Sequence, residues 1–171
     1  MTIWTPPTHV APNDELDSAK FNAETVDNLS YLKAAKVGRF GKLAGLTVAD
    51  ETFVAFGGDF AVFETENMWA VSPYPERIAP PIPGFWMVNV RIQWPPGTGV
   101  RAVRLQTNGV DLINQDTRSA LANTSNSSLT AVVEMDGVGD YFNFHVWQSS
   151  GGSVSMPSSS KHALDVVYLG A

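Results

Sequence analysis

Trp86-Met87-Val88-Asn89-Val90-Arg91-Ile92-Gln93-Trp94 is the stretch on which the fold turns. Trp86, Val88, Val90, Ile92 and Trp94 share one parity, and Met87, Asn89, Arg91 and Gln93 share the other. Side chains of a strand point alternately to its two faces, so this period of two describes a strand with one face in a core and one in water. That is the habit of antiparallel sheets rather than of parallel ones, which are buried on both sides. Pro95, Pro96, Gly97 and Gly99 end the run, because proline lacks the donor a ladder needs and glycine favours turns.

Downstream the same grammar repeats. Residues 101–107 place Val103 and Leu105 inward and Arg104 and Gln106 outward, and Asn108-Gly109 then predicts a hairpin, since both residues tolerate positive φ. Residues 110–113 are the expected return strand, and the polar residues 114–128 the expected exposed loop. Asn123-Thr124-Ser125 and Asn126-Ser127-Ser128 match the glycosylation acceptor pattern but are read here as loop composition. A strand over 129–135, a turn at Asp136-Gly137-Val138-Gly139-Asp140, an aromatic strand over 141–147, a Gly/Ser turn at 148–153 and a closing strand over 163–169 follow. Upstream, 53–56 and 60–63 read as a strand pair about Gly57-Gly58. Short strands at such spacing predict a sandwich or barrel.

The N-terminal quarter has a different texture. Pro6, Pro7 and Pro12 predict an extended arm, in which Trp4 is a large apolar group with no local core. Residues 18–36 predict the one helix. Asp17 is its N-cap, Leu16 and Phe21 stand at hydrophobic-staple spacing, and Gly38 is a plausible stop after Lys33 and Lys36. Phe21, Val26, Leu29 and Leu32 form a narrow apolar stripe, better suited to packing on another surface than to independent folding. The expected division is therefore 1–40, arm and docking helix, and 41–171, a β-domain, with Trp4, Leu16, Phe21, Val26, Leu29 and Leu32 as the docking residues.

Composition bounds the function. Of 171 residues 44% are hydrophobic and 16% charged, which suffices for a core and leaves apolar surface for a partner. The net charge of −6 and the scatter of the 11 Lys and Arg argue against a nucleic-acid footprint. No apolar run approaches the ~20 residues that span a bilayer, and residues 1–16 lack a secretory leader pattern, so assembly in a cytoplasm without membrane insertion is expected. With no cysteine, cohesion must come from packing and oligomerisation.

Chemistry-bearing constellations are sparse. His9, His145 and His162 have no metal-ligand spacing, and Asp136 with Asp140 supplies two carboxylates where calcium takes six to eight oxygens, so the 136–140 segment reads as a turn and no metal or cofactor is expected. Glu64 with Glu66 and Asp50 with Glu51 are acids beside turns. Neither a nucleophile elbow nor a phosphate loop occurs, and a carbohydrate-active enzyme on a β-sandwich is kept only as a minor alternative.

Two resemblances sharpen this. Trp4-Thr5-Pro6-Pro7-Thr8, then Leu16-Asp17-Ser18-Ala19-Lys20-Phe21-Asn22 and Val26-Asp27-Asn28-Leu29-Ser30-Tyr31-Leu32, resemble the opening of minor tail proteins of phages that infect actinobacteria, with Asp17-Ser18 and Phe21 as departures that keep the cap and the apolar anchor. Gly84-Phe85-Trp86-Met87-Val88-Asn89-Val90, the run from Gly99 to Leu105, Asn108-Gly109, the run from Gly139 to Val146 and the closing 164–169 strand resemble, in that order, the jelly-roll superfamily of tumour necrosis factor and the complement globular head. Phe142 departs from that pattern, standing where a small aliphatic residue is usual. The resemblances imply a mainly β, antiparallel jelly-roll β-sandwich behind an extended arm and one N-terminal α-helix. They imply a non-enzymatic homotrimer in a virion, bound to other phage virion proteins as a minor tail, tail-tip or fibre component, with a host cell-surface glycan or protein as receptor; a capsid decoration protein is the alternative. Because 141–147 carries bulky groups on both faces, Tyr141, His145 and Trp147, with Tyr168, are the expected trimer contact.

Overall fold

A computed structural model describes residues 35–170 except 43, 71, 157 and 159–161. The helix expected at 18–36 and the docking residues Trp4, Leu16, Phe21, Val26, Leu29 and Leu32 lie outside the described residues, apart from Ala35 and Lys36, which are not helical.

Eleven antiparallel strands make up the described part: β1 (Val37–Gly41), β2 (Leu46–Val48), β3 (Val54–Phe56), β4 (Phe60–Glu64), β5 (Gly84–Trp94), β6 (Val100–Thr107), β7 (Val110–Ser119), β8 (Ser125–Met135), β9 (Phe142–Ser149), β10 (Val154–Met156) and β11 (Ala163–Gly170). A five-stranded sheet runs β4-β1-β11-β5-β8, a four-stranded sheet β3-β9-β6-β7, and β10 pairs with β2. The first strand beside the last, and β9 between β3 and β6, make a jelly-roll β-sandwich. Trp86, Val88, Val90, Ile92 and Trp94 of β5 are fully buried, as their parity required, and meet Leu105, Phe142, Phe144 and Val146 of the opposing sheet in one core. No helix among the described residues is long and apolar enough to cross a membrane.

Three expectations are corrected. Gly38, read as a helix stop, lies inside β1, where Val37 and Phe40 pair with Val167 and Leu164 of β11. The segments at 53–56 and 60–63 are no hairpin: β3 pairs with β9 and β4 with β1, so the chain crosses between sheets at Gly57-Gly58. The loop expected over 114–128 is mostly strand. β7 continues to Ser119 along β6, and β8 begins at Ser125, opposite Trp94 of β5. The physical reason is that polar residues were read as solvated. Ser127 is in fact buried and accepts a 3.1 Å hydrogen bond from the indole Nε1 of Trp94, so a hydroxyl is there because an indole needs an acceptor.

The Asn108-Gly109 hairpin stands as expected, with φ of 52° and 77°. Arg101 of β6 is buried with Gln148, its cross-strand partner on β9, and donates to it at 3.3 Å while Gln148 donates to Val48 O and Gly152 O. Burial lowers the Arg101 pKa. That polar pair ties the four-stranded sheet to β2 and to the 150–152 turn.

Candidate functional site

The four residues expected to form the trimer contact do not share a surface. Tyr168 belongs to the five-stranded sheet and turns inward: its ring lies 5.0 Å from that of Trp86 and its hydroxyl donates to Pro83 O at 3.1 Å. His145 and Trp147 point outward from the four-stranded sheet, between neighbours that already cover them in part. Trp147 packs against Phe53 at 6.1 Å, and the Arg104 guanidinium lies 3.4 Å from the centre of the Phe53 ring. Part of the bulk on the outward face of β9 is thus met within the chain. Tyr141 sits just before β9, with the Arg77 guanidinium 4.2 Å from its ring centre.

The outward face of the five-stranded sheet is different. Register places Val37, Val167, Met87 and Val132 in one row across β1, β11, β5 and β8, because each is the direct cross-strand partner of the next. The neighbouring row is Phe63, Arg39, Asp165, Asn89 and Thr130. Phe85 and Leu169 extend the apolar end; Phe63, Phe85, Val132 and Leu169 are each 45–55% exposed. A shallow groove of about 460 Å³ runs between Val37, Phe63, Met87 and Val167. Arg39 and Asp165 pair on its floor, and Asp165 raises the Arg39 pKa, first by its hydrogen bond and then by its charge. Toward the other end the face becomes Arg91, Ser128, Gln93 and Asn126. Sequence reading counted Met87 with the wet residues of its strand. The signal was outward-parity apolar residues in several strands, and only the register brings them side by side.

Three of the four acids singled out in the sequence have partners within the fold. Glu64 accepts from the backbone of Met68 and Trp69, at 2.8 and 3.3 Å. Glu66 lies 3.8 Å from Lys36, and Asp50 accepts from Ser150 N and Gly151 N. In the 136–140 turn Asp140 accepts from Asp136 N at 2.8 Å and from Asn108 Nδ2 at 2.7 Å, bonds that hold its carboxyl below the ordinary 3.8. Among the described residues no group of three or more His, Cys, Asp or Glu is arranged to hold a metal ion.

No protein-family model matches the chain, and no match was found among curated proteins. Solved structures do resemble it. Murine APRIL crystallised at pH 5.0 superposes with a TM-score of 0.63 at 10% identity, over 80% of this chain and 100% of that one. Murine APRIL at pH 8.0 gives 0.61 at 13% identity over the same shares. PRD1 vertex protein P5 gives 0.56 at 13% identity, over 80% of this chain and 73% of that one. At such identities the likeness speaks for the fold, which is the jelly roll the ordered strand motifs implied.

Proposed function

We propose that this chain is a non-enzymatic structural protein of a bacteriophage virion, a minor tail, tail-tip or fibre component that works as a homotrimer of jelly rolls. The observation that carries the reading is the apolar end of the outward five-stranded face, where Phe63, Phe85, Met87, Val132 and Leu169 are all exposed in the single chain. Soluble monomers rarely leave so contiguous an apolar area bare, and a threefold assembly would cover it. An obligate contact buries ~2,000 Å² or more, and at ~25 cal/mol per Å² the gross gain outweighs association costs of about 4–15 kcal/mol. The proposed contact thus moves from Tyr141, His145, Trp147 and Tyr168 to this face.

The segment ahead of β1 is the particle anchor, with Trp4, Leu16, Phe21, Val26, Leu29 and Leu32 as its apolar contacts, and the jelly roll faces the host surface. Native mass spectrometry of the full chain tests the assembly: three copies are expected, and a monodisperse single copy at micromolar concentration refutes it. Deleting residues 1–34 should leave the trimer intact and abolish incorporation into particles; unchanged incorporation removes the anchor. The likeness to a vertex protein of PRD1 favours a second reading, a decoration or vertex component of the capsid. Particle imaging that locates the protein on head or tail separates the two.

A further inference from the structure

At the end of the sandwich that carries the 108–109 and 136–140 turns, the segment between β4 and β5 folds into a small aromatic pocket. Asn67, Trp69, Tyr74, Arg77, Gly139 and Tyr141 are among the residues lining it, and its volume is about 290 Å³. Cavities for drug-sized ligands run from ~300 to 1,000 Å³, so this one suits a single ring with its substituents.

Its centre is Arg77. The guanidinium carbon lies 3.8 Å from the ring centre of Tyr74 and 4.2 Å from that of Tyr141. Stacking on ring faces fixes the plane of a guanidinium and leaves its N–H edge available, the geometry that takes a planar anion through two parallel hydrogen bonds. The Glu76 carboxylate lies 3.8 Å from the Arg77 Nε, close enough for an ion pair and too far for a hydrogen bond. Tyr74 is 51% exposed, and neither its hydroxyl nor that of Tyr141 has a hydrogen-bond partner among the described residues.

The pocket walls are anchored independently of any ligand. Trp69 Nε1 donates to Pro75 O at 2.8 Å, and Arg77 N to Tyr74 O at 3.0 Å. Ile78 bridges to both Trp69 and Phe142. Tyr141 is gripped by the hairpin tip, since Asn108 N donates to its carbonyl at 2.9 Å and its own N–H donates to Asn108 Oδ1 at 3.0 Å. A ligand would therefore meet groups already ordered, with little entropy left to lose.

We propose that this pocket binds an acidic saccharide, a sugar ring bearing a carboxylate: Arg77 takes the carboxylate on its free N–H edge, while Tyr74 and Tyr141, whose faces hold the guanidinium, offer their hydroxyls to the sugar's hydroxyl groups. The cation selects for charge on a chain whose net charge is −6, so attraction is local to Arg77 and does not come from a general basic field. Aromatic walls in place of further cations select for a ring over a bare anion. The inference rests on the surface-binding part of the function proposed above and places it at named residues.

The test is titration of the full chain, followed by NMR, with a glucuronic acid–N-acetylglucosamine disaccharide, its neutral methyl ester and glycerol 3-phosphate. The acid should bind with millimolar affinity and shift resonances of Tyr74, Arg77 and Tyr141, and the ester should bind at least tenfold more weakly. Arg77→Gln should weaken the acid tenfold or more, and Tyr74→Ala, a change at an exposed position, several-fold. Equal binding of acid and ester, wild-type binding by Arg77→Gln, or no shifts at these residues overturns the proposal. Glycerol 3-phosphate binding as tightly as the disaccharide shows anion recognition without the sugar and overturns it too. The acid–ester comparison is made on wild-type protein and does not depend on a variant folding. Assembly is read separately by native mass, so a monomer that binds the disaccharide refutes only the trimer.

Discussion

Ser127→Ala separates the structure from the sequence reading of the same residue. As a loop serine its loss would be worth less than ~0.5 kcal/mol in either direction. In the structure Ser127 is 1% exposed and its hydroxyl accepts the Trp94 Nε1 proton at 3.1 Å, with Trp94 fully buried. An indole N–H is a donor only, so alanine leaves it buried with no acceptor. The penalty for such an orphaned group is about 1–3 kcal/mol. Taken as ~2 kcal/mol, it lowers the thermal midpoint of a chain this size by roughly 4–8 °C. Urea denaturation and thermal melts at one fixed chain concentration measure it, since an assembly's stability depends on concentration. The Trp94→Phe background supplies the control. With the donor gone, Ser127→Ala should cost at least ~1 kcal/mol less, and that difference is the coupling between the two side chains. A change within ~0.5 kcal/mol of wild type in the Trp94 background, or equal costs in both, refutes the assignment.

Three further outcomes are expected. Met87→Glu puts a charge in the middle of the apolar row on the outward five-stranded face; native mass should fall from three copies to one with the single-copy fold intact, and a persistent trimer moves the contact elsewhere. Gly99→Ala should destabilise by about 3 kcal/mol or more, because φ is +80° and a Cβ would lie 1.7 Å from Ser149 O; Gly151→Ala, at φ +83° with open space around it, should cost only ~1 kcal/mol in the same denaturation assay. Asp140, whose folded pKa lies below 3.8 through its bonds from Asp136 N and Asn108 Nδ2, supplies stability present above the unfolded value and lost as pH falls through the folded one. Acid titration by NMR should find its midpoint below 3.8, and Asp140→Asn should reduce the loss of stability on acidification; an ordinary midpoint refutes the hydrogen-bond account.

Where the sequence misled, partners were the missing information. Leu129–Met135 and Trp86–Trp94 were legible because alternation is a property of one strand and needs no neighbour. Residues 114–128 were not, because a hydroxyl and a solvated loop look alike until the buried indole opposite is known. The bulk on both faces of β9 pointed to another subunit; within the chain Phe53, just ahead of β3, packs on Trp147, and Arg104 of β6 stacks on Phe53, contacts made by distant parts of the chain. Glu64 and Asp50 looked like free acids and proved to be backbone acceptors of turns.

What the sequence by itself determined is the division of inside from outside in strands such as 86–94 and 129–135, the Asn108-Gly109 hairpin and the ordered series of motifs that implied a jelly roll. These rest on local periodicity and backbone preference. The tertiary structure alone decided which outward residues become neighbours: the row of Val37, Val167, Met87 and Val132, and the pairing of Arg77 with Tyr74 and Tyr141. Register and loop closure join residues far apart in the chain, and no single strand's pattern encodes which strand will lie beside it.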